Sequence, residues 1–157
     1  MRLQVLTIRK IISGGQTGVD RAALDWAIAR GLAHGGYCPI GRKAEDGPIP
    51  PKYRLTELSS DDYSVRTRKN VEVADGTLIL KRGELKGGTA YTAEVAAALK
   101  KPLFVIDVDE PVDQEAFAAW TQAEKIRTLN VAGPRESQSP GIYERATDRL
   151  GQLFNSN

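Results

Sequence analysis

Apolar residues along this chain alternate between short runs and longer stretches with helical spacing. The short runs are rich in β-branched residues and predict strands at 4–12, 32–38, 75–80, 103–106 and 128–131. The longer stretches repeat apolar residues at helical intervals and predict helices at 19–30, 61–72, 89–100, 112–123 and 140–154. Residues 39–60 contain four prolines and two glycines, which predicts irregular structure.

This alternation predicts one α/β domain over residues 1–157, with three layers and about five mainly parallel strands flanked by helices. A chain of 157 residues has room for one full hydrophobic core. The continuous apolar run Leu103–Ile106 is typical of a strand buried on both faces. Val65 and Val71 are the apolar anchors expected for the second helix, which Asp61 or Asp62 caps. Ligands of such sheets bind at the carboxyl ends of the strands.

Composition excludes several classes of protein. Lys and Arg number 22 and Asp and Glu number 20, and this near-balance argues against a nucleic-acid or membrane-surface binder. Cys38 and His34 are the single cysteine and histidine, which excludes an intrachain disulfide and a structural zinc site. Cys38 is expected to be buried at a strand end. The first residues resemble no signal peptide and no apolar run approaches membrane-spanning length, so we expect a cytoplasmic protein.

A glycine-rich turn, Ser13 to Gly18, joins the first predicted strand to the first helix. The backbone amides of such a turn and the positive end of the helix dipole bind anions. The turn matches neither the Walker A loop nor the dinucleotide fingerprint. The alternative is a tight turn that binds no ligand. Asp20 is interpreted as an acidic residue that interacts favourably with the positive end of the helix dipole. The candidate anion ligands are Gly14, Gly15, Gln16, Thr17, Gly18 and Arg21.

A second glycine-rich turn, Gly83 to Thr89, follows the third predicted strand in the same way. Gly87, Gly88 and Thr89 would let an anion approach the backbone closely. Glu94, in the second turn of the next helix, is a candidate sugar ligand or general acid/base, or else an exposed helix acid. Because both turns lie at carboxyl ends of strands, we expect one shared cleft for a phosphate-bearing organic ligand. A third polar turn, 133–137, lies at the same edge.

The proline-rich segment 39–51 is expected to be a lid over the ligand, because long irregular loops in compact domains are often functional. Its candidate ligands are Arg42, Glu45 and Asp46, with Arg42 facing the anion and Asp46 facing a hydroxyl, an amine or a metal. Arg66 and Asn70 share a helix face and are further candidates. For all of these residues, solvent-exposed surface is the alternative. No metal-ligand cluster is predicted.

Together these motifs resemble the molybdenum-cofactor carrier protein family over residues 11–150. The family implies a Rossmann-like fold and non-covalent binding of a pterin, the molybdenum cofactor (molybdopterin), through its phosphate and molybdenum-oxo end. Related families pair through helices that flank the sheet, which implies a homo-oligomer. The matching segments are Gly14–Asp25, Cys38–Pro50, Arg66–Leu78, Gly87–Thr89 and Asn130–Arg135.

The wider superfamily is lysine-decarboxylase-like and includes cytokinin-activating phosphoribohydrolases, which carry Pro-Gly-Gly-x-Gly-Thr-x-x-Glu. Here Lys86, Ala90 and Tyr91 replace the proline, the third glycine and the threonine, which argues against hydrolysis. We therefore expect a non-catalytic carrier of a small phosphorylated heterocycle, with neither nucleic acid nor a membrane as partner. The alternatives are a nucleoside monophosphate phosphoribohydrolase-like enzyme, in which Glu94 or Asp46 is the acid/base, and a sensor of a nucleotide signal.

Overall fold

Five parallel strands form the central sheet of this protein, seen in a computed structural model that describes residues 6–154. The strands in chain order are β1 Lys10–Ile12, β2 Ala33–Gly35, β3 Tyr37–Cys38, β4 Thr56–Glu57, β5 Gly76–Lys81, β6 Leu103–Asp107 and β7 Thr128–Ala132. The helices are α1 Val19–Arg30, α2 Tyr63–Val73, α3 Gly87–Ala98, α4 Gln114–Ala123 and α5 Ile142–Phe154. The central sheet has the order β2-β1-β7-β5-β6, and β3 and β4 form a separate parallel pair.

Helices cover both faces of the sheet, which confirms the three-layer α/β prediction. α1, α4 and α5 pack together on one face, where Phe117, Leu78 and Leu129 belong to the main core. α2 and α3 pack against each other in a second cluster that includes Val71. Successive side chains of a strand point to opposite faces. Asn130, which follows Leu129 in β7, therefore points away from the main core, and its amide donates to Thr77 of β5 at 3.2 Å.

Two of the predicted strands are shorter than the apolar pattern indicated. The first begins at Lys10, and residues 4 and 5 of the prediction lie outside the described part of the chain. The second is divided at Gly36, where a Cβ atom would lie only 2.0 Å from the Ser13 carbonyl oxygen. The chain turns away from the central sheet at this close contact. β3 then pairs with β4, a strand that the sequence analysis placed in irregular structure.

The prediction that Leu103–Ile106 is buried on both faces is wrong. Within residues 6–154, β6 pairs only with β5 and lies at the edge of the sheet, where Val105 is 38% exposed. Val65 is 42% exposed and is not an anchor of α2, whereas Val71 is fully buried as predicted. The expected cap of α2 is confirmed, because Asp62 accepts the Ser64 N–H at 2.8 Å.

The ends of the other helices differ slightly from the predicted ones. α3 starts at Gly87 and ends at Ala98, so each end lies two residues before the predicted bounds of 89 and 100. α4 starts at Gln114, because Asp113 caps it by accepting the Ala116 N–H at 3.0 Å. α5 starts at Ile142, so Pro140 precedes the helix and does not lie in its first turn.

The proline-rich segment has a small core of its own. Cys38, Ile49 and Tyr53 are buried against Leu24 of α1, and Leu55 packs at the edge of this group. Cys38 is the last residue of β3 and is fully buried, which confirms the sequence interpretation. The segment is therefore an ordered part of the fold that is anchored on α1.

Asn70 connects this segment to α2 through the backbone of β3. Its side-chain oxygen accepts the Tyr37 N–H at 2.9 Å, and its amide donates to the Tyr37 carbonyl at 3.0 Å. Asn70 is only 2% exposed, so both hydrogen bonds are shielded from water. The amide thus replaces the strand partner that Tyr37 lacks on this side.

We expect Asn70→Ala to lower the free energy of unfolding by about 2–3 kcal/mol, because both buried backbone groups of Tyr37 lose their partner. Chemical denaturation measures the change. Arg68→Ala, at an exposed position on the same helix, is the matched control and should change stability by less than about 0.5 kcal/mol. Equal stability of the two variants would contradict a structural role for the hydrogen bonds between Asn70 and the Tyr37 backbone.

Candidate functional site

A cavity of about 240 Å³ lies at the carboxyl ends of β1, β7 and β5. Its walls come from the turn after β1, the end of β7, α2 and the first turns of α3. The strand order explains the position of the cavity. From β1 the chain continues to β2 at one edge of the sheet, and from β5 it continues to β6 at the opposite edge. The turns after β1 and β5 therefore lie where the strand order changes direction. The predicted ligands that line the cavity are Gly14, Gln16, Arg66, Asn70, Gly87, Gly88 and Thr89.

Other predicted ligands do not line this cavity. They belong to the first glycine-rich turn, to the proline-rich segment and to the second turn of α3. Glu94 is among them and is exposed on α3. The full set outside the lining is Gly15, Thr17, Gly18, Arg21, Arg42, Glu45, Asp46 and Glu94.

The amides of the first glycine-rich turn are already paired within the protein, contrary to the expected anion cradle. The acceptors are neighbouring side chains and one backbone carbonyl of the loop after β7. The hydrogen bonds run from Gly15 N–H to Ser13 Oγ, from Gln16 N–H to Asp20 Oδ2, from Thr17 N–H to Gln16 Oε1 and from Val19 N–H to the Pro134 oxygen, at 3.1–3.3 Å. An anion at this turn would have to displace these partners.

The side chains around the turn are paired in the same way. The Thr17 hydroxyl donates to the Glu45 carboxylate and accepts the Glu136 N–H at 3.1 Å. The Glu45 N–H in turn donates to Gln16 Oε1 at 2.8 Å. Ser137 also donates its N–H to the Glu45 carboxylate, at 3.2 Å. Glu45 therefore fastens the proline-rich segment to the turn and to the loop after β7.

Arg21 and Arg42 are also committed to protein partners. Arg21 forms a bidentate pair with Asp46, at 3.1 Å for each nitrogen, and this pairing lowers the pKa of the Asp46 carboxyl. The Arg42 guanidinium donates to the carbonyl oxygens of Ile49, Pro50 and Tyr53 at 2.6–2.9 Å. The expected orientation of Arg42 and Asp46 toward a ligand is thus not found, because the folded segment supplies their partners itself.

The second glycine-rich turn does open toward the cavity. Gly87 and Gly88 are exposed at the start of α3, and no side chain caps this end of the helix. The unpaired amides of a helix N-terminus carry a partial positive charge. The first turn of α3 therefore presents hydrogen-bond donors and a favourable dipole to an anion in the cavity.

Arg66 reaches from α2 to the first glycine-rich turn. Its Nη1 atom donates to the Gly14 carbonyl at 3.2 Å and lies 3.8 Å from Asp20 Oδ2. A Cβ atom at Gly14 would lie 2.2 Å from Nη1, so a side chain at this position would displace the guanidinium. Arg66 also lies over the ring of Tyr63, 5.3 Å from its centroid. The guanidinium is therefore held at the cavity wall from three directions.

Asp20 is a cavity residue that the sequence analysis assigned only to the helix dipole. It is 7% exposed and lies in the first turn of α1. Burial raises the pKa of Asp20 from its usual 3.8 to about 6, against the opposing effects of the Arg66 guanidinium and the Gln16 amide. A buried carboxyl with a raised pKa in a cavity is typical of a functional site. The sequence signal for a role of Asp20 in the site was its position two residues after Gly18, the last glycine of the first glycine-rich turn.

Further lining residues were missed because they come from distant parts of the chain. Tyr63 and Tyr91 supply aromatic surface from α2 and α3, and Asn130 comes from β7. Arg135 confirms that the third polar turn reaches this edge. Only the strand order brings these elements together.

The described residues 6–154 contain no cluster of three or more His, Cys, Asp and Glu side chains suited to hold a metal ion. No helix in that part of the chain has the length and apolar character needed to cross a membrane.

Comparison with known proteins extends over nearly the whole chain. Residues 11–154 match the model of the circularly permutated YpsA SLOG family. The crystal structure of a putative molybdenum carrier protein from Syntrophus aciditrophicus is similar, with 48% sequence identity, a TM-score of 0.89, and coverage of 95% of this chain and 96% of that chain. No curated protein matches. The similarity includes the segments that line the cavity.

We expect Asp20→Asn to stabilise the protein by about 1–3 kcal/mol near pH 7.5. The folded-state pKa of about 6 exceeds the unfolded value of 3.8, so ionised Asp20 destabilises the fold above pH 6 and this cost disappears below pH 3.8. Thermal or chemical unfolding from pH 4 to pH 8 measures the difference.

Asp148→Asn, at a surface carboxylate on α5, is the control and should leave stability nearly unchanged at each pH. A destabilised Asp20→Asn protein at pH 7.5 would show that the contacts of the carboxylate with Arg66 and Gln16 outweigh its desolvation.

Proposed function

This chain belongs to the circularly permutated YpsA SLOG family, and we propose that it is a non-catalytic carrier protein for a phosphorylated heterocycle. The cargo we propose is the molybdenum cofactor, molybdopterin. The similarity to the putative molybdenum carrier protein from Syntrophus aciditrophicus supports this choice. The observation that carries the proposal is the cavity itself, which combines donors for an anion with aromatic surface for a ring.

The phosphate of the ligand would bind at the N-terminus of α3. Gly87, Gly88 and Thr89 line the cavity there, and the helix dipole favours a negative charge. Arg66 and Arg135 line the same cavity and supply guanidinium groups that suit phosphate geometry. A hydrogen bond to a charged group contributes about 1.5–3 kcal/mol, so one arginine contact changes affinity by roughly tenfold or more.

The heterocycle would occupy the part of the cavity next to Tyr63 and Tyr91. Planar rings stack favourably on aromatic side chains and on guanidinium planes. The volume of about 240 Å³ is just below the range of roughly 300–1,000 Å³ for sites of drug-sized ligands. It therefore suits one heterocycle with its phosphate-bearing substituent at the open edge.

Neither of the two acids considered as acid/base groups from the sequence is placed to act on a ligand in the cavity. Glu94 is exposed outside the cavity lining, and Asp46 is paired with Arg21. These are the two acids that the sequence offered as acid/base groups. General acid/base catalysis needs a titratable group within hydrogen-bond reach of the reacting atoms.

The proposal is tested by binding of a nucleotide and by the ligand that copurifies. Native mass spectrometry of freshly purified protein should detect a molybdopterin-sized ligand. Titration should show that GMP binds more tightly than guanosine, because the phosphate contacts α3 and Arg66. Arg66→Gln should weaken GMP binding by about tenfold, since it removes one charged hydrogen-bonding group.

Arg68→Gln is the matched control, because Arg68 is exposed on the same helix and does not line the cavity. Equal affinity for GMP and guanosine would contradict the phosphate site. Release of guanine and ribose 5-phosphate from GMP by the purified protein would contradict the non-catalytic proposal and support the hydrolase alternative.

A further inference from the structure

Asp20 is a cavity residue that the proposed phosphate site does not use. A carboxylate repels a phosphate in a site that is shielded from water. The proposed phosphate ligands Gly87 and Gly88 belong to α3, whereas Asp20 belongs to the first turn of α1. Arg66, another of these ligands, has its Nη1 atom 3.8 Å from Asp20 Oδ2, so its positive charge lies beside the carboxylate. The acceptor positions that the protein leaves open on Asp20 suit a part of the ligand that carries hydrogen-bond donors.

The two carboxylate oxygens of Asp20 have different surroundings. Oδ2 accepts the Gln16 N–H at 3.3 Å and lies 3.8 Å from Arg66 Nη1. No side chain of residues 6–154 donates a hydrogen bond to Oδ1, but the Gly14 backbone amide also hydrogen-bonds to the carboxylate and lowers its pKa. A carboxylate has about four acceptor positions, so with the Gln16 and Gly14 amides bound Asp20 can still accept about two hydrogen bonds from a ligand.

Gln16 adds a donor beside these acceptors. Its side-chain oxygen accepts the N–H groups of Thr17 and Glu45, at 3.1 and 2.8 Å. The carbonyl end of the amide is thereby occupied, and the Nε2 group has no acceptor among residues 6–154. Gln16 is 8% exposed and lines the same cavity as Asp20. The cavity wall thus offers acceptor positions on Asp20 and a donor on Gln16.

We propose that Asp20 and Gln16 bind the 2-amino-4-oxo edge of a pterin-type or guanine-type ring. This edge presents an amino N–H, a ring N–H and a carbonyl oxygen in one row. Asp20 accepts from the two N–H groups, and Gln16 Nε2 donates to the carbonyl. The inference rests on the proposed function and specifies which class of heterocycle the site selects. A charge-assisted bidentate contact of this kind adds geometric specificity as well as affinity.

Pterin and lumazine provide the test, because they differ only in a 2-amino or a 2-oxo group on the same bicyclic ring. Fluorescence titration at pH 7 should show that the parent protein binds pterin at least about tenfold more tightly than lumazine. Asp20→Asn should reverse this preference, because the asparagine amide donates to the 2-oxo group and its oxygen accepts the ring N–H. Gln16→Glu should weaken binding of both rings, since it replaces the donor to the 4-oxo group by an acceptor.

Asp148→Asn, on the outer face of α5, is the control and should keep the parent preference. Equal affinity of the parent protein for pterin and lumazine, together with equal affinity for GMP and IMP, would overturn the inference. If Asp20→Asn lowered the affinity for pterin and for lumazine equally, the inference would also be overturned, because Asp20 would then act only by positioning Arg66. Thermal unfolding of each variant separates these results from loss of the fold.

GMP and IMP differ only in the 2-amino group. Comparing their affinities shows whether the recognised edge belongs to a guanine nucleotide or to a pterin. Preference for GMP over IMP without preference for pterin over lumazine would indicate a guanine nucleotide, and the reverse would indicate a pterin. The proposed function has a separate readout, the tighter binding of GMP than of guanosine. If that difference is present while neither ring pair is discriminated, the carrier proposal stands and the inference about Asp20 and Gln16 fails.

Discussion

Close approach of three chain segments at the carboxyl end of β1 is the constraint on which the candidate site depends. A Cβ atom at Gly14 would lie 2.2 Å from Arg66 Nη1, and one at Gly18 would lie 2.4 Å from the Pro134 carbonyl oxygen. The glycines of the first turn therefore allow α2 and the loop after β7 to reach α1. Any side chain at these positions would separate the segments that form the cavity wall.

This packing changes the role of the first glycine-rich turn. Its amides are hydrogen-bonded to Ser13, Asp20, Gln16 and Pro134, so the turn is a structural junction. Buried backbone groups are almost always paired, and here the neighbouring segments supply the partners. Among residues 6–154 no side chain caps the N-terminus of α3, and Gly87 and Gly88 line the cavity. Two turns of similar sequence thus differ in the pairing of their amides because they have different surroundings.

The proline-rich segment follows the same principle. Arg42 binds three backbone carbonyls of its own segment, and Glu45 and Asp46 bind partners on α1 and after β7. Charged side chains that would be solvent-exposed in an extended loop are thereby used to hold the segment in place. Asp20 is the contrasting case: within residues 6–154 no side chain donates a hydrogen bond to its Oδ1 atom, and burial of the carboxylate carries a cost in desolvation. Functional sites often retain such local costs, which the rest of the fold offsets.

The sequence by itself determined the fold class, the edge of the sheet where the site lies and part of the lining. Helical and strand periodicities are local properties, and glycine-rich turns after parallel strands mark one edge by geometry alone. Gly87, Gly88 and Arg66 were found in this way, and Asp62 was recognised as a cap. Only the tertiary structure decided which polar groups remain available to a ligand. That property depends on contacts between residues far apart in the chain, such as Asn130 with Thr77 or Arg66 with Gly14, and no local pattern encodes the partner of a side chain.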